Sequence, residues 1–314
     1  MKIKITNISS ICTWSSLQNQ LMILQDTDIL IENSKIAKIS KNIIDADEEI
    51  DADGALITPG FVDSHTHPIF SGNRSQEFSM RLSGKSYEEI SELGGGIISS
   101  INDLRSVDEG QLFEECIERV NFFLNHGTTT IEAKSGYGLT LKDELKSLRV
   151  IKRLNQESDL DIVPTFLGAH DFPPEYKNNK SDYVTLICEE MIPEVAEKKL
   201  AEFCDVFCEE GYYSIEDSER ILESAKNHGL TPRLHADEFI DSKAASLAAK
   251  VGAISADHLM EVSDDGIRAM AKKNVIATLL PGTTLFLGKN KYAPGRKIID
   301  FGCEVALATD YNPG

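Results

Sequence analysis

Helix-forming residues, then a glycine or asparagine, then a short apolar and β-branched run recur in that order along the chain after Pro59-Gly60, and this order leaves few folds open. The segment 121–126 reaches Gly127 and then Thr-Thr-Thr-Ile-Glu-Ala. A stretch opening at Ser214, a residue type suited to an N-cap, runs to His228, then Gly229 and Leu-Thr-Pro-Arg-Leu-His. Residues 243–251 reach Gly252 and Ala-Ile-Ser-Ala-Asp-His, and residues 267–273 reach Asn274 and Val-Ile-Ala-Thr-Leu-Leu. Gly302 precedes Glu-Val-Ala-Leu-Ala-Thr-Asp. Gly or Asn after a helix tolerates the left-handed backbone that ends it. Helix followed by buried strand, with no hairpin between, predicts a parallel sheet with crossover helices.

Eight strands are expected, near 60–67, 128–133, 162–170, 203–209, 231–237, 253–258, 274–280 and 303–310. Eight in succession favour a closed (β/α)8 TIM-like barrel over an open doubly wound sheet. The open sheet would also want a Gly-rich phosphate loop after its first strand. Gly94-Gly95-Gly96 follows a polar loop instead and reads as a flexible turn. Residues 1–58 carry short β-like runs, two of them around an Asn33-Ser34 turn, and are expected to be a domain apart from 59–314.

In such a barrel the active site lies at the C-terminal strand ends. Strand one ends in Val-Asp-Ser-His65-Thr-His67, strand three in Leu-Gly-Ala-His170, strand five in Arg-Leu-His235-Ala-Asp-Glu238, strand six in Ala-Asp-His258 and strand eight in Ala-Thr-Asp310. Five of the seven histidines stand there; His126 and His228 precede helix-ending glycines and read as capping residues. His65 and His67 are two apart on a strand, so both rings project to one face, as chelation of one ion requires. A lone histidine is more often a hydrogen-bonded structural residue, and Asp310 before Asn312-Pro313-Gly314 is a candidate turn cap. Together at one rim they read as a metal centre. The set His65, His67, His235 and Asp310 offers N and O donors only, which suits Zn²⁺ or iron rather than a thiolate site.

Those residues in their settings resemble the amidohydrolase superfamily of metal hydrolases and, within it, the imidazolonepropionase family of histidine degradation. The shared strings are Asp-Ser-His-Thr-His-Pro-Ile-Phe-Ser-Gly-Asn-Arg, Lys-Ser-Gly-Tyr-Gly, Phe-Leu-Gly-Ala-His, His-Ala-Asp-Glu-Phe, Ser-Ala-Asp-His-Leu and Ala-Thr-Asp-Tyr-Asn-Pro-Gly. The resemblance implies hydrolysis of 4-imidazolone-5-propanoate to N-formimidoyl-L-glutamate with one metal ion, held by His65, His67, His235 and Asp310. It implies substrate contacts at Arg74, Tyr137, His170 and Glu238, a product-binding turn holding Asn312 and Gly314, and a further contact at Tyr87. It also implies that residues 1–58 are the N-terminal part of a small β-sandwich. The family's chains continue past this point, so the barrel is expected to be truncated after strand eight.

The chemistry agrees. Opening a ring amide needs a nucleophilic water, a Lewis acid for the carbonyl oxygen and a proton for the departing nitrogen. A metal lowers the pKa of bound water to about 7. Asp310 and His258 are placed to receive its proton, and Glu238 to relay one to the nitrogen. Arg74 can hold a propanoate bidentately, and the glycines around Tyr137 suit a loop that approaches a ligand. An aromatic deaminase would use the same donor set, but a neutral base gives Arg74 no carboxylate to hold. A non-catalytic barrel scaffold would have lost donors or the proton-transfer pair, and none is missing. Residues 204–211 contain no lysine to bridge a second ion.

The formal net charge of −19, from 32 basic and 51 acidic residues, excludes the basic footprint of a nucleic-acid binder. No apolar run long enough to cross a membrane and no signal peptide is evident, so cytoplasm is the expected compartment. The six cysteines are scattered; on a strand, Cys204 and Cys208 would stand roughly 13 Å apart, too far for one metal or a disulfide. The expected partner is a small anionic substrate, with homodimerisation left open.

Overall fold

A computed structural model of the chain describes residues 1–85, 89 and 95–314. Tyr87, and Gly94 of the glycine triplet, lie outside the described residues. The chain divides into two compact units, Met1–Phe61 and Val62–Gly314. Among the described residues no helix is long and apolar enough to cross a membrane.

The first unit is built from β1 (Lys2–Thr6), β2 (Ser10–Ser15), β3 (Gln20–Leu24), β4 (Asp28–Glu32), β5 (Lys35–Ser40), β6 (Glu48–Asp51) and β7 (Leu56–Ile57). They form one sheet in the order β5-β4-β1-β6 and another in the order β3-β2-β7. Alternation turns Ile5, Ile29, Ile31 and Ile39 of the first sheet and Ile11, Leu24 and Ile57 of the second into a shared small core. Asn33 and Ser34 join β4 to β5 at φ +53° and +59°, the left-handed pair that matches strand twist in a two-residue hairpin.

The second unit is the expected barrel. Its strands are β8 (Phe61–Thr66), β9 (Thr128–Lys134), β10 (Asp161–Ala169), β11 (Phe203–Cys208), β12 (Thr231–Ala236), β13 (Ser255–His258), β14 (Ile276–Leu279) and β15 (Val305–Leu307). Each pairs in parallel with its sequence neighbour, from β8 to β15. Amphipathic helices cover the outside: helix Glu109–Asn125 buries Leu112, Phe113, Cys116, Val120 and Phe123 at helical spacing, and Asp108 caps it through the Gln111 amide. Ser214 caps helix Ile215–Asn227 through Asp217 N, as expected. His126 and His228 sit at C-cap positions with Nδ1 on the carbonyls of Phe122 and Ser224.

Strand eight ends sooner than expected, at Leu307 rather than near 310. Asp310 itself has a left-handed backbone, φ +56°, outside the strand. Closure onto strand one therefore passes through single bonds. Asp310 N donates to His65 O at 3.1 Å and His67 N to Tyr311 O at 2.7 Å, with an isolated parallel bridge between Thr66 and Tyr311. Buried Asp63 adds two more, accepting from Thr309 N at 3.1 Å and Thr309 Oγ1 at 2.6 Å. An Asp63→Ala substitution leaves this amide unpaired at the seam and should cost about 1–3 kcal/mol. A lower urea midpoint at unchanged slope is the expected reading.

Candidate metal centre

A barrel of this type is usually filled by branched aliphatic side chains. Here the interior below the rim holds charges: Glu132 and Lys134 from β9, Asp205 from β11, Arg233 from β12 and Asp257 from β13, all buried. Lys134 Nζ lies 2.7 Å from both Glu132 Oε1 and Asp205 Oδ2. Arg233 Nη2 donates to Asp257 Oδ2 at 2.9 Å and to Ser64 O at 2.7 Å. Burial opposes charge on Asp205, Asp257, Lys134 and Arg233, but their partners outweigh it. His235 and Lys134 hold the Asp205 carboxyl well below its usual range; Arg233 and Lys134 lower that of Asp257. Lys134, pressed down by burial, is raised overall by Asp205 and Glu132 and stays charged.

Two of these carboxylates face histidines. Asp257 Oδ2 is 2.7 Å from His65 Nδ1, and Asp205 Oδ1 is 3.1 Å from His235 Nδ1. An ionised carboxylate only accepts, so each Nδ1 carries the proton and each Nε2 turns a bare lone pair into the barrel mouth. There His65 Nε2 and His235 Nε2 stand 3.2 and 3.4 Å from His67 Nε2. Asp310 Oδ1 lies 3.5 Å from His65 Nε2 and 3.4 Å from His67 Nε2. Bare acceptors at such separations repel unless a cation lies among them. The edge of a tetrahedron around an ion with metal–nitrogen bonds of 2.0–2.1 Å is about 3.4 Å, so the donor set fits a metal. Burial keeps the imidazoles of His65 and His235 below their ordinary range, in the neutral form that binds metal. For Asp310, burial opposes ionisation, but the surrounding imidazoles, that of His67 foremost, hold the carboxyl well below its usual range.

The remaining rim residues crowd the same point. His170 and His258 each bring a donor atom within 4.8 Å of two of these histidines. His170 donates from Nδ1 to Gly136 O at 3.0 Å and stacks on His67 at 5.1 Å between ring centroids. Tyr137 lies 5.2 Å from His170 and 6.1 Å from His67 by the same measure. His258 has Nδ1 3.7 Å from Glu238 Oε1, and its Nε2 is buried without a partner. Its backbone is left-handed at φ +77°, a strained setting of the kind that collects at functional sites. Burial pushes the Glu238 carboxyl up to about 7. Its amide and that of Phe239 are held by Glu209 Oε2 at 2.8 and 3.0 Å.

Arg74 is placed by the Asn312–Gly314 turn. Its amide donates to Pro313 O at 2.8 Å, and Nη2 lies 3.4 Å from Asn312 Oδ1 and 3.3 Å from Gly314 O. A Cβ on Gly314 would come within 2.4 Å of Arg74 Cβ, so glycine is required for that approach. Arg74 Nε is buried and has no partner, a donor left for a ligand. No single sequence motif announces the buried charge layer. The available signal was the strand period of two, which puts Arg233 on the face of His235 and Glu132 on that of Lys134.

No protein-family model matches the sequence. An imidazolonepropionase of Brevibacillus brevis is 50% identical over 305 residues, covering 94% of this chain and 72% of the relative. One from Clostridium tetani is 46% identical over 99% of this chain and 77% of its own length. Among solved structures, guanine deaminase from C. acetobutylicum with bound guanine aligns at TM-score 0.67 and 17% identity, over 99% of this chain and 74% of that one. Atrazine chlorohydrolase from Arthrobacter aurescens complexed with zinc aligns at TM-score 0.71 and 17% identity, over 98% and 72%. These structures share the fold.

The dependence of the rim on the layer beneath it is measurable. Asp257→Asn removes the ionised acceptor that fixes the His65 tautomer and should weaken Zn²⁺ affinity about 10–100-fold. Chelator competition on the purified protein reads this without turnover.

Proposed function

The chain belongs to the imidazolonepropionase family, and from that premise we propose how its residues divide the work. The reaction is hydrolysis of the ring amide of 4-imidazolone-5-propanoate to N-formimidoyl-L-glutamate. The observation that carries the site assignment is the convergence of bare imidazole nitrogens on the Asp310 carboxylate at the mouth of a metal-dependent hydrolase barrel. We assign His65, His67, His235 and Asp310 as ligands of a single ion, Zn²⁺ or iron. When bound, the ion polarises a carbonyl oxygen and supplies a water of lowered pKa.

Arg74 and the Asn312–Gly314 turn hold the propanoate, with the Tyr137 hydroxyl contacting the substrate and His170 packing on its ring. His258, with an unpartnered Nε2 beside the ligands, takes up a proton from the attacking water together with Asp310. Glu238, 3.7 Å from His258, carries a proton to the departing nitrogen. A carboxyl pushed to about 7 suits that task, because it holds a proton near neutrality and gives it up readily. The donor needs its proton, so kcat/KM should fall as pH rises through about 7, and Glu238→Gln should flatten that limb. We place the reaction in a reducing compartment, the cytosol, where the free thiols of all six cysteines persist.

Metal analysis of the purified protein should give one tightly bound ion per chain; two would refute the assignment. The segment 204–211, where a bridging lysine would be sought, contains none, and its Asp205 is engaged by Lys134 and His235. Arg74→Ala should raise KM strongly, since losing a buried charge-assisted contact costs about 2–4 kcal/mol, and lysine should recover only part. His258→Asn should keep its metal while kcat falls roughly 10²–10⁴-fold. A fully active His258→Asn protein, or one that has lost its ion, contradicts the division between ligands and proton carriers.

A further inference from the structure

The loop between β9 and helix Leu141–Glu157 carries Tyr137, and its backbone does not hold its shape unaided. Gly136 stands at φ +114°, and Leu139 at φ +49°, a region leucine rarely enters. A Cβ on Gly138 would lie 2.6 Å from the Asp143 carbonyl carbon. Two charged side chains grip this backbone. Glu144, fully buried, accepts the amides of Gly138 and Leu139 on one oxygen, both at 2.9 Å. From helix Ile97–Ser106, Arg105 donates Nε to Gly138 O at 2.7 Å and Nη2 to Leu139 O at 3.2 Å. The peptide joining Gly138 to Leu139 thus has its N–H on the carboxylate and its carbonyl on the guanidinium, and the peptides before and after it are each held on one edge.

The grip extends across the mouth. The remaining donors of Arg105 pair with Glu175 at 2.9 and 3.3 Å, on the short helix Pro174–Tyr176 that follows His170. His170 in turn donates to Gly136 O. One guanidinium therefore ties together the two segments that bring Tyr137 and His170 side by side.

We propose that Arg105 and Glu144 are positioning residues for substrate binding, clamping the Gly138–Leu139 peptides so that Tyr137 is fixed against His170 at the barrel mouth. This rests on Tyr137 being a substrate contact, as assigned above. Arg105 acts through the loop, so its loss misplaces a contact and should weaken binding more than chemistry.

The test uses Arg105→Met, Arg105→Lys, Tyr137→Phe and the Arg105→Met/Tyr137→Phe double variant of the metal-loaded enzyme, each assayed for KM, kcat, bound metal and Tm. Arg105 is about three-quarters buried and lies outside the metal cluster, so its replacement should leave a folded, metal-loaded protein. Arg105→Met should raise KM about tenfold with kcat within about twofold of wild type. Lysine should recover only part, because it lacks the fork. The increment should vanish in the Tyr137→Phe background, the mark of two residues acting as one unit. If Tyr137→Phe raises KM and Arg105→Met does not, the clamp is overturned while the contact stands. If Tyr137→Phe leaves KM unchanged, the contact assignment fails and the clamp with it. Additive effects in the double variant, or loss of metal and kcat with KM unchanged, show a role in general stability and overturn the proposal.

Discussion

Charge buried inside a barrel has to be neutralised within it, and much of this active site follows from how that is done. Lys134 and Arg233 stand against Glu132, Asp205 and Asp257, so the layer has two cations and three carboxylates. Asp310 at the rim adds another carboxylate, and the sum is two negative charges in excess. Unpaired charge in such surroundings costs several kcal/mol per group. A divalent cation held at the rim, as proposed, would complete the neutralisation and make the layer an electrostatic counterpart of the donors above it. Replacing it with aliphatic side chains would leave a packed barrel, but the rings of His65 and His235 would lose the acceptors that orient them.

The sequence made the barrel and the rim legible for a simple reason. Helix-ending Gly127, Gly229 and Gly252 mark each return to the sheet, and the histidines follow the strands directly. Local order therefore suffices to place His65, His67, His235 and His258. The charge layer was not legible because its members come from different strands and make sense only when the strands close. In a chain of net charge −19, a lone Asp205 or Lys134 looks like any solvated residue. Periodicity extends strand eight to Asp310, beyond its end at Leu307. Asp310 instead uses a left-handed backbone, which composition and periodicity do not announce.

Strain and anchoring recur together around the mouth. His258, Leu259 and Asp310 have positive φ, as do Asp237 and Leu139 in the neighbouring loops. Buried carboxylates hold the backbone near several of them: Glu144 takes two amides, Glu209 takes those of Glu238 and Phe239, and Asp237 takes those of Ala244 and Ala245. Each of these carboxyls holds two amides at once, although burial pushes all three up from the ordinary carboxylate range. They keep loop geometries that sterics alone would release.

The seam between strands one and eight has a consequence for how the barrel is reached in time. Asp63 and Thr309 are 246 residues apart along the chain, and His65 and Asp257 are 192 apart. Contacts of such separation form late, because loop-closure entropy must be overcome before they return anything. Until they do, Asp257 lacks its histidine and the first strand lacks its last neighbour. The seam should therefore close late in folding, and the sheet edge stays open until β15 docks. If His65, His67, His235 and Asp310 hold an ion as proposed, its uptake by refolding chains would time the docking of β15 rather than diffusion of the ion.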